Sequence, residues 1–282
     1  MKVIVGEYSG FCKGVNYTYT KAQEELKKGQ IYCLGKIIHN DIVIKELEDK
    51  GMITISNLKE VPKNGKVIFR AHGEPYESYE YAKNNNIEVI DLTCGKVKLI
   101  HNKVSKEKDE SFIVIIGKKT HPEIIGTVGF SGKNSYVVEN SSDIEKLKEK
   151  IEESKMSKIF IISQTTFSSQ KFDELLALIT KELKDYEINY DKSICNSTEK
   201  RQNECEEISE KSTLMIVIGD KLSSNTKELY NIAKENCQNS YLISDISELK
   251  GIKISSDDTI GIVAGASTPK YLIDEIYKEI TK

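Results

Sequence analysis

The chain of 282 residues has no tryptophan, four prolines and four histidines, and it lacks most of the short signatures that announce an enzyme class. No apolar run exceeds strand length. Runs such as Ile113 to Ile116 and Ile159 to Ile162 fall far short of the roughly 20 residues that cross a bilayer. Met1-Lys2 leads directly into a short strand and a Gly/Ser turn, so no signal peptide is expected and the protein is read as cytoplasmic, with no membrane role. Net charge is −3, and no Lys/Arg cluster is interleaved with aromatics, which leaves no footprint for nucleic acid. No C-x-x-C pair is present, hence no local zinc knuckle and no ferredoxin-type run. G-x-G-x-x-G, G-x-S-x-G and H-E-x-x-H are all missing. Gly117-Lys118 and Gly132-Lys133 lack the upstream glycine of a phosphate-binding P-loop, because Phe112 and Thr127 stand there. Nicotinamide dehydrogenase, serine hydrolase, zincin and P-loop readings are left without their markers.

What is present suits an ordinary soluble globular protein, with 38% hydrophobic and 30% charged residues. The length sets a prior of about two domains and lets folding bury about three quarters of the unfolded surface, so the core needs neither disulfides nor metals. With few prolines and no low-complexity linker, the parts are expected to pack closely. The Lys/Glu-rich segments Glu145 to Lys155, Lys181 to Asp185 and Glu204 to Lys211 read as solvated faces. Six cysteines in a reducing compartment leave core packing, catalysis or a metal centre as their uses.

The stretch from Ile87 to Gly95 organises the rest. A short β-branched run ends in Asp91, and Cys94 follows just where a helical pattern (Val97, Ile100, Val104) begins. A sulfur so placed meets the unpaired N–H groups and positive dipole end of a helix, which favour the thiolate. The arrangement recurs at Cys12, after Val3 to Val5 and before Val15 to Leu26, and at Cys195, after Tyr186 to Tyr190 and before Thr198 to Ile208. Periodicity predicts about twelve short strands alternating with helices, the pattern of parallel α/β sheets. Cutting at the cysteines, which stand 82 and 101 residues apart, yields three pseudo-repeated α/β units of about four strands. They are residues 13–93, residues 94–194, and residues 195–282 completed by 1–12.

Each unit offers two polar loops after strands. They hold His39-Asn40 and Ala71-His72-Gly73 in the first, His121-Pro122-Glu123 and Gln164-Thr165-Thr166 in the second, and Ser223-Ser224-Asn225 and Gly265-Ala266-Ser267 in the third. Ligands of open α/β sheets bind beyond the carboxyl ends of strands, so all these loops and the three cysteines are expected to face one central cavity. Three thiolates can hold a four-iron cluster that normally takes four, leaving one iron open; each cysteine taken alone also reads as a buried inert thiol. Cys33, Cys205 and Cys237 are assigned to packing. Imidazoles, hydroxyls, amides and helix-start N–H groups make an oxyanion cage, so a phosphate or diphosphate is the expected ligand. Glu123 is the candidate proton donor among these loops, and reads equally as a first-turn helix glutamate after Pro122.

These motifs, taken in order with Gly10 to Val15, Ile37-Ile38, Asp91 to Cys94, Thr198 and Arg201-Gln202, resemble the 4-hydroxy-3-methylbut-2-enyl diphosphate reductase family over nearly the whole chain. The resemblance implies a trefoil of three α/β units around a central cavity, and one [4Fe-4S] cluster per chain on Cys12, Cys94 and Cys195. It implies a substrate diphosphate held by His39, His72, His121, Ser223, Asn225 and Ser267, with Ser224 alongside. The substrate hydroxyl is expected at the open iron near Thr165 and Glu123, with Glu123 feeding protons and Thr166 close by. The implied reaction adds two electrons and two protons and removes water, giving isopentenyl or dimethylallyl diphosphate, with ferredoxin or flavodoxin as the class of donor. Gly95 follows Cys94 where the family usually has proline. Two competing readings are a zinc-dependent hydrolase of a phosphorylated metabolite, using His39, His72, His121 and a cysteine, and a non-catalytic binder of an anionic metabolite.

Overall fold

The computed structural model describes residues 1–282. Twelve strands form, all in parallel pairs. They are β1 (Lys2–Val5), β2 (Ile31–Leu34), β3 (Met52–Ile55), β4 (Lys66–Phe69), β5 (Glu88–Asp91), β6 (Phe112–Ile116), β7 (Ser135–Val138), β8 (Lys158–Ser163), β9 (Glu187–Asp191), β10 (Leu214–Ile218), β11 (Ser240–Ile243) and β12 (Thr259–Ala264). Parallel strands need crossovers, and ten α-helices supply them: α1 (Lys13–Leu26), α2 (Asp41–Glu48), α3 (Tyr76–Asn84), α4 (Gly95–Glu107), α5 (Pro122–Phe130), α6 (Ile144–Ser154), α7 (Ser169–Glu182), α8 (Asn196–Ser209), α9 (Ser224–Asn236) and α10 (Lys270–Ile280). None is long and apolar enough to cross a membrane.

The strands make three four-stranded sheets with one shared order. Starting from the edge strand that leads to a cysteine, the orders are β1-β12-β10-β11, β5-β4-β2-β3 and β9-β8-β6-β7. The expected α/β pseudo-repeat is thereby borne out, and β1 joins the C-terminal strands by pairing with β12. Burial follows position. The inner strands β6 and β10, Phe-Ile-Val-Ile-Ile and Leu-Met-Ile-Val-Ile, are buried throughout, as sheets covered on both faces require. The edge strands are more polar, and Glu88 and Glu187 at their starts are exposed.

By compactness the chain divides into two units: Met1–Tyr19 with Ile38–Lys50 and Asn196–Lys282, and Thr20–Ile37 with Gly51–Cys195. The first contains the β1 sheet and α2, the second the other two sheets. This division differs from the three-way cut because α2, which follows β2 in sequence, belongs to the first unit. The cores are layered helix on sheet. In the second unit, α6 turns Ile144, Leu147 and Ile151 inward at helical spacing onto Phe112, Val114 and Ile161. Fully burying one such side chain contributes about 1.5–3 kcal/mol. The Lys/Glu face of the same helix stays in water, where Lys146 pairs with Glu149 and Lys150 with Glu153.

Candidate functional site

Parallel pairing carries the cysteines and the polar loops to the same end of each sheet. Cys12, Cys94 and Cys195 lie between an edge strand and the first turn of α1, α4 and α8. In every sheet the cysteine N–H donates to a carbonyl in the loop beyond the neighbouring strand: Cys12 to Ala266 (3.2 Å), Cys94 to Ala71 (3.0 Å) and Cys195 to Thr165 (3.0 Å). The next residue in each of those loops is a candidate ligand, Ser267, His72 or Thr166. One backbone hydrogen bond, repeated three times, thus registers each of these cysteines against a polar loop of its sheet.

None of the six cysteines is in a disulfide, and their settings differ. Cys12, Cys94 and Cys195 are half-buried, and Cys12 Sγ accepts from the Val15 N–H (3.4 Å) in the first turn of α1. Cys33, Cys205 and Cys237 are buried. Cys205 Sγ donates to the Leu229 carbonyl (3.2 Å), and burial pushes its thiol up to about 12, which makes it inert. Three accessible thiols at helix starts and three in the core is the division expected if only the first set binds a soft metal.

In the first compact unit, the start of α9 gathers buried polar side chains. Ser223 caps the helix by accepting from the Thr226 N–H (3.3 Å), and Ser224 and Asn225 follow in its first turn. Both amide atoms of Asn225 are buried without a hydrogen-bond partner. Beside a helix start, whose first N–H groups have no intrahelical partner, the NH2 of such an amide can donate to an anion. The Ser267 hydroxyl donates to the His39 carbonyl (2.8 Å), joining two candidate ligands 228 positions apart. Asn40, next to His39, caps α2 by accepting from the Val43 N–H (3.1 Å). The close approach of α9 to its sheet depends on Gly265, where a Cβ would stand 2.2 Å from Thr226 Oγ1.

In the second compact unit, His121 caps α5. Its Nδ1 accepts from the Glu123 N–H (3.2 Å), which assigns the neutral ring's proton to Nε2. The rings of His72 and His121 meet edge to face with centroids 5.4 Å apart. Glu123 is 2% exposed, and its carboxylate accepts twice from Thr165: the N–H donates to Oε1 and the hydroxyl to Oε2, both at 2.6 Å. Burial raises its pKa to about 7, against the lowering effect of the Thr165 hydrogen bonds. Glu123 also lies in the first turn of α5, where a carboxylate faces the positive end of the helix dipole.

His101 is set apart. It is buried on α4, stacked on Phe130 at 4.4 Å, and burial drives its pKa down to about 4, so it is a neutral packing residue. Sequence reasoning gave no role to Gln164, which accepts from the Lys118 N–H (3.0 Å) and donates to Thr166 Oγ1 (2.8 Å), tying together the two polar loops of its sheet. Its place immediately after β8 was the available signal. Glu204 was assigned to a solvated face. Instead its carboxylate accepts from the N–H groups of Glu7 (2.6 Å) and Tyr8 (3.0 Å), which charge patterning along the helix does not reveal.

Residues 3–281 match the protein family described as LytB protein. The chain is 37% identical to the 4-hydroxy-3-methylbut-2-enyl diphosphate reductase of Caldanaerobacter subterraneus subsp. tengcongensis, over 99% of this chain and 96% of that one. It is 36% identical to the enzyme of the same name from Aquifex aeolicus, over 99% and 95%. A solved structure, the E-1-hydroxy-2-methyl-but-2-enyl-4-diphosphate reductase from Plasmodium falciparum, is similar with a TM-score of 0.90 and 32% identity, over 100% of this chain and 88% of that one.

Proposed function

The chain belongs to the LytB family, and from that membership and the residues described above we propose that it reductively dehydroxylates (E)-4-hydroxy-3-methylbut-2-enyl diphosphate. Isopentenyl and dimethylallyl diphosphate are the products, formed with two electrons, two protons and the loss of water. The observation that carries the reading is the threefold repeat of a half-buried cysteine bonded to a ligand loop.

In this reading the units 13–93, 94–194 and 195–282 with 1–12 each supply one thiol and two polar loops. Cys12, Cys94 and Cys195 hold one [4Fe-4S] cluster per chain, and the chemistry of the donor set fits: three accessible sulfurs, each at a helix start, with the remaining cysteines buried. When bound, the cluster supplies electrons and an iron open to the substrate hydroxyl. The two electrons come from outside the chain, with ferredoxin or flavodoxin as the class of donor. Six cysteines, none in a disulfide, suit a reducing, cytoplasmic compartment.

The protein's own groups bind and protonate. His39, His72, His121, Ser223, Ser224, Asn225 and Ser267 take the diphosphate, and the helix starts at α5 and α9 add N–H dipoles. A cage of imidazoles, amides and hydroxyls matches the anion without a lysine or arginine. Glu123, titrating near 7, can both hold and release a proton around neutral pH. Once protonated, the carboxyl donates to Thr165 Oγ1, and the Thr165 hydroxyl, which donates to the ionised carboxylate, turns and passes its own proton to the leaving hydroxyl, which departs as water. A second proton through the same pair, with Thr166 alongside, quenches the allyl carbanion at either end, which accounts for two products.

The test is iron and acid-labile sulfide content, with a visible spectrum and turnover, on protein purified without oxygen. About four of each per chain are expected, lost in Cys12→Ser, Cys94→Ser and Cys195→Ser. Zinc without sulfide, even after anaerobic reconstitution, overturns the redox mechanism in favour of the hydrolase.

A further inference from the structure

The loop from Gly6 to Phe11, which delivers Cys12, contains no helix or strand, yet the N–H groups of Gly6, Glu7, Tyr8 and Ser9 and the Gly10 carbonyl are all hydrogen-bonded. The Gly6 N–H donates to the Ile262 carbonyl (2.8 Å), and Ser9 Oγ accepts from the Ala264 N–H (3.0 Å). The remaining grips come from one helix, α8. Glu204 accepts the N–H groups of Glu7 and Tyr8 on its two carboxylate oxygens. One face-turn earlier, Arg201 donates from one terminal nitrogen to the Gly10 carbonyl (2.7 Å). Its other terminal nitrogen is anchored on the Ser197 carbonyl (2.7 Å) and on the Ser197 hydroxyl, so the guanidinium is held at both ends. Arg201 is 6% exposed.

An anion and a cation three residues apart on one helix face thus take the donors at the start of the loop and the acceptor near its end. Charge-assisted hydrogen bonds of this kind are about twice as strong as neutral ones. The backbone is shaped to receive them. A Cβ on Gly6 would stand 2.7 Å from Glu204 Oε2, and Gly10 has φ +104°, a conformation that turns its carbonyl toward Arg201 at no side-chain cost. Lys200 adds a cation over the Tyr8 ring at 5.0 Å. The helix that does this begins at Asn196, directly after Cys195.

We propose that Arg201 and Glu204 are positioning residues for the Cys12 thiol, an inference that rests on the cluster reading above. Neither belongs to the set of residues read above as holding substrate or cluster. Their work is to fix the loop so that the sulfur is presented in one place before any iron arrives. Outer partners that orient a metal ligand typically change metal affinity about 10–100-fold when removed.

Two readouts test this on the full chain. The first is iron release from the anaerobic holoprotein to a chelator. Arg201→Ala, Glu204→Ala and Gly6→Ala are each expected to speed release about tenfold or more, and Arg201→Lys and Glu204→Gln to restore part of the wild-type rate. The second is amide hydrogen exchange in the protein without cluster, where Glu7 and Tyr8 are expected to exchange faster in Glu204→Ala while α8 and β12 keep their protection. Should Arg201→Ala not fold, Glu204→Ala and Gly6→Ala carry both readouts. Wild-type release and exchange in those two variants, with a wild-type cluster intact, overturns the positioning role alone. A wild-type protein that holds no cluster overturns the cluster reading and this inference with it.

Discussion

Thr165 grips both oxygens of the Glu123 carboxylate, one through its N–H and one through its hydroxyl, at 2.6 Å each. The contact spans 42 positions of sequence and couples the end of β8 to the first turn of α5. It holds a buried carboxyl in one orientation while keeping its pKa lower than burial alone would set it. Removing the hydroxyl therefore acts on the proton twice, by breaking the relay and by raising the carboxyl pKa further. Thr165→Val is expected to lower turnover about 10²-fold or more, and to move the alkaline limb of the pH–rate profile upward from near 7. A limb that stays in place would detach Thr165 from the titrating group.

The same raised pKa has a cost in stability, and its sign is fixed. Glu123 titrates at about 7 in the folded chain against a model value of 4.5. Between those values the unfolded chain releases its proton first, so stability falls as pH rises through this window and the loss is complete above 7. A difference of that size amounts to about 3 kcal/mol at most. Glu123→Gln is expected to be more stable than wild type at pH 8 by up to that amount and equal to it at pH 4, while turnover collapses. Urea denaturation at the two pH values checks it, and equal midpoints at pH 8 would count against a proton-poised carboxyl.

Asn225 presents the opposite balance. Its amide is buried and makes no hydrogen bond within the protein, so removing it leaves no partner stranded. Asn225→Ala is expected to keep or raise the melting temperature, yet to raise KM about tenfold, roughly 1.4 kcal/mol of lost anion binding. A variant that melts earlier with KM unchanged would make Asn225 a structural residue.

Gly265 tests the seating of α9. A Cβ there meets Thr226 Oγ1 at 2.2 Å, so Gly265→Ala forces the ligand-bearing helix start away from its sheet. A cost of about 1–3 kcal/mol is expected, with KM rising in parallel. Thr226→Ala in the same chain should recover much of both. Failure of the double variant to recover either would place the strain elsewhere.

Gly95 stands at the first position of α4, and a Cβ there meets nothing within 4 Å. The preceding Cys94 has φ −55° and ψ 136°, a conformation that proline tolerates in its predecessor. Gly95→Pro is expected to stabilise the chain by about 0.4–1 kcal/mol through the unfolded state. It should also lengthen the cluster's half-life in air by stiffening the turn after Cys94; equal half-lives for the two proteins would dismiss that second effect.

The strand ends were legible because parallel α/β chemistry writes them plainly. Runs such as Phe112 to Ile116 are buried on both faces, and a glycine or polar cluster stops each one. The placement of Cys12, Cys94 and Cys195 between a strand end and a helix start was legible because both boundaries follow from periodicity. Glu204 was misread for an equally physical reason. Its neighbours Glu206, Glu207 and Glu210 make a charged helical run, and nothing local distinguishes the one carboxylate that turns toward a distant loop. His101 was recognisable as helical, but its stacking on Phe130 and its neutrality follow from packing alone.

By itself, then, the sequence determined the strand count, the parallel order of elements, the three thiols and the loops that accompany them, since these follow from periodicity and from residue types at element ends. Tertiary structure decided which groups meet: the carboxyl of Glu123 with Thr165, the hydroxyl of Ser267 with His39, and the loop before Cys12 with Arg201 and Glu204. Those contacts join positions from 42 to 228 apart, and they depend on how sheets and helices stack, which local propensity does not encode.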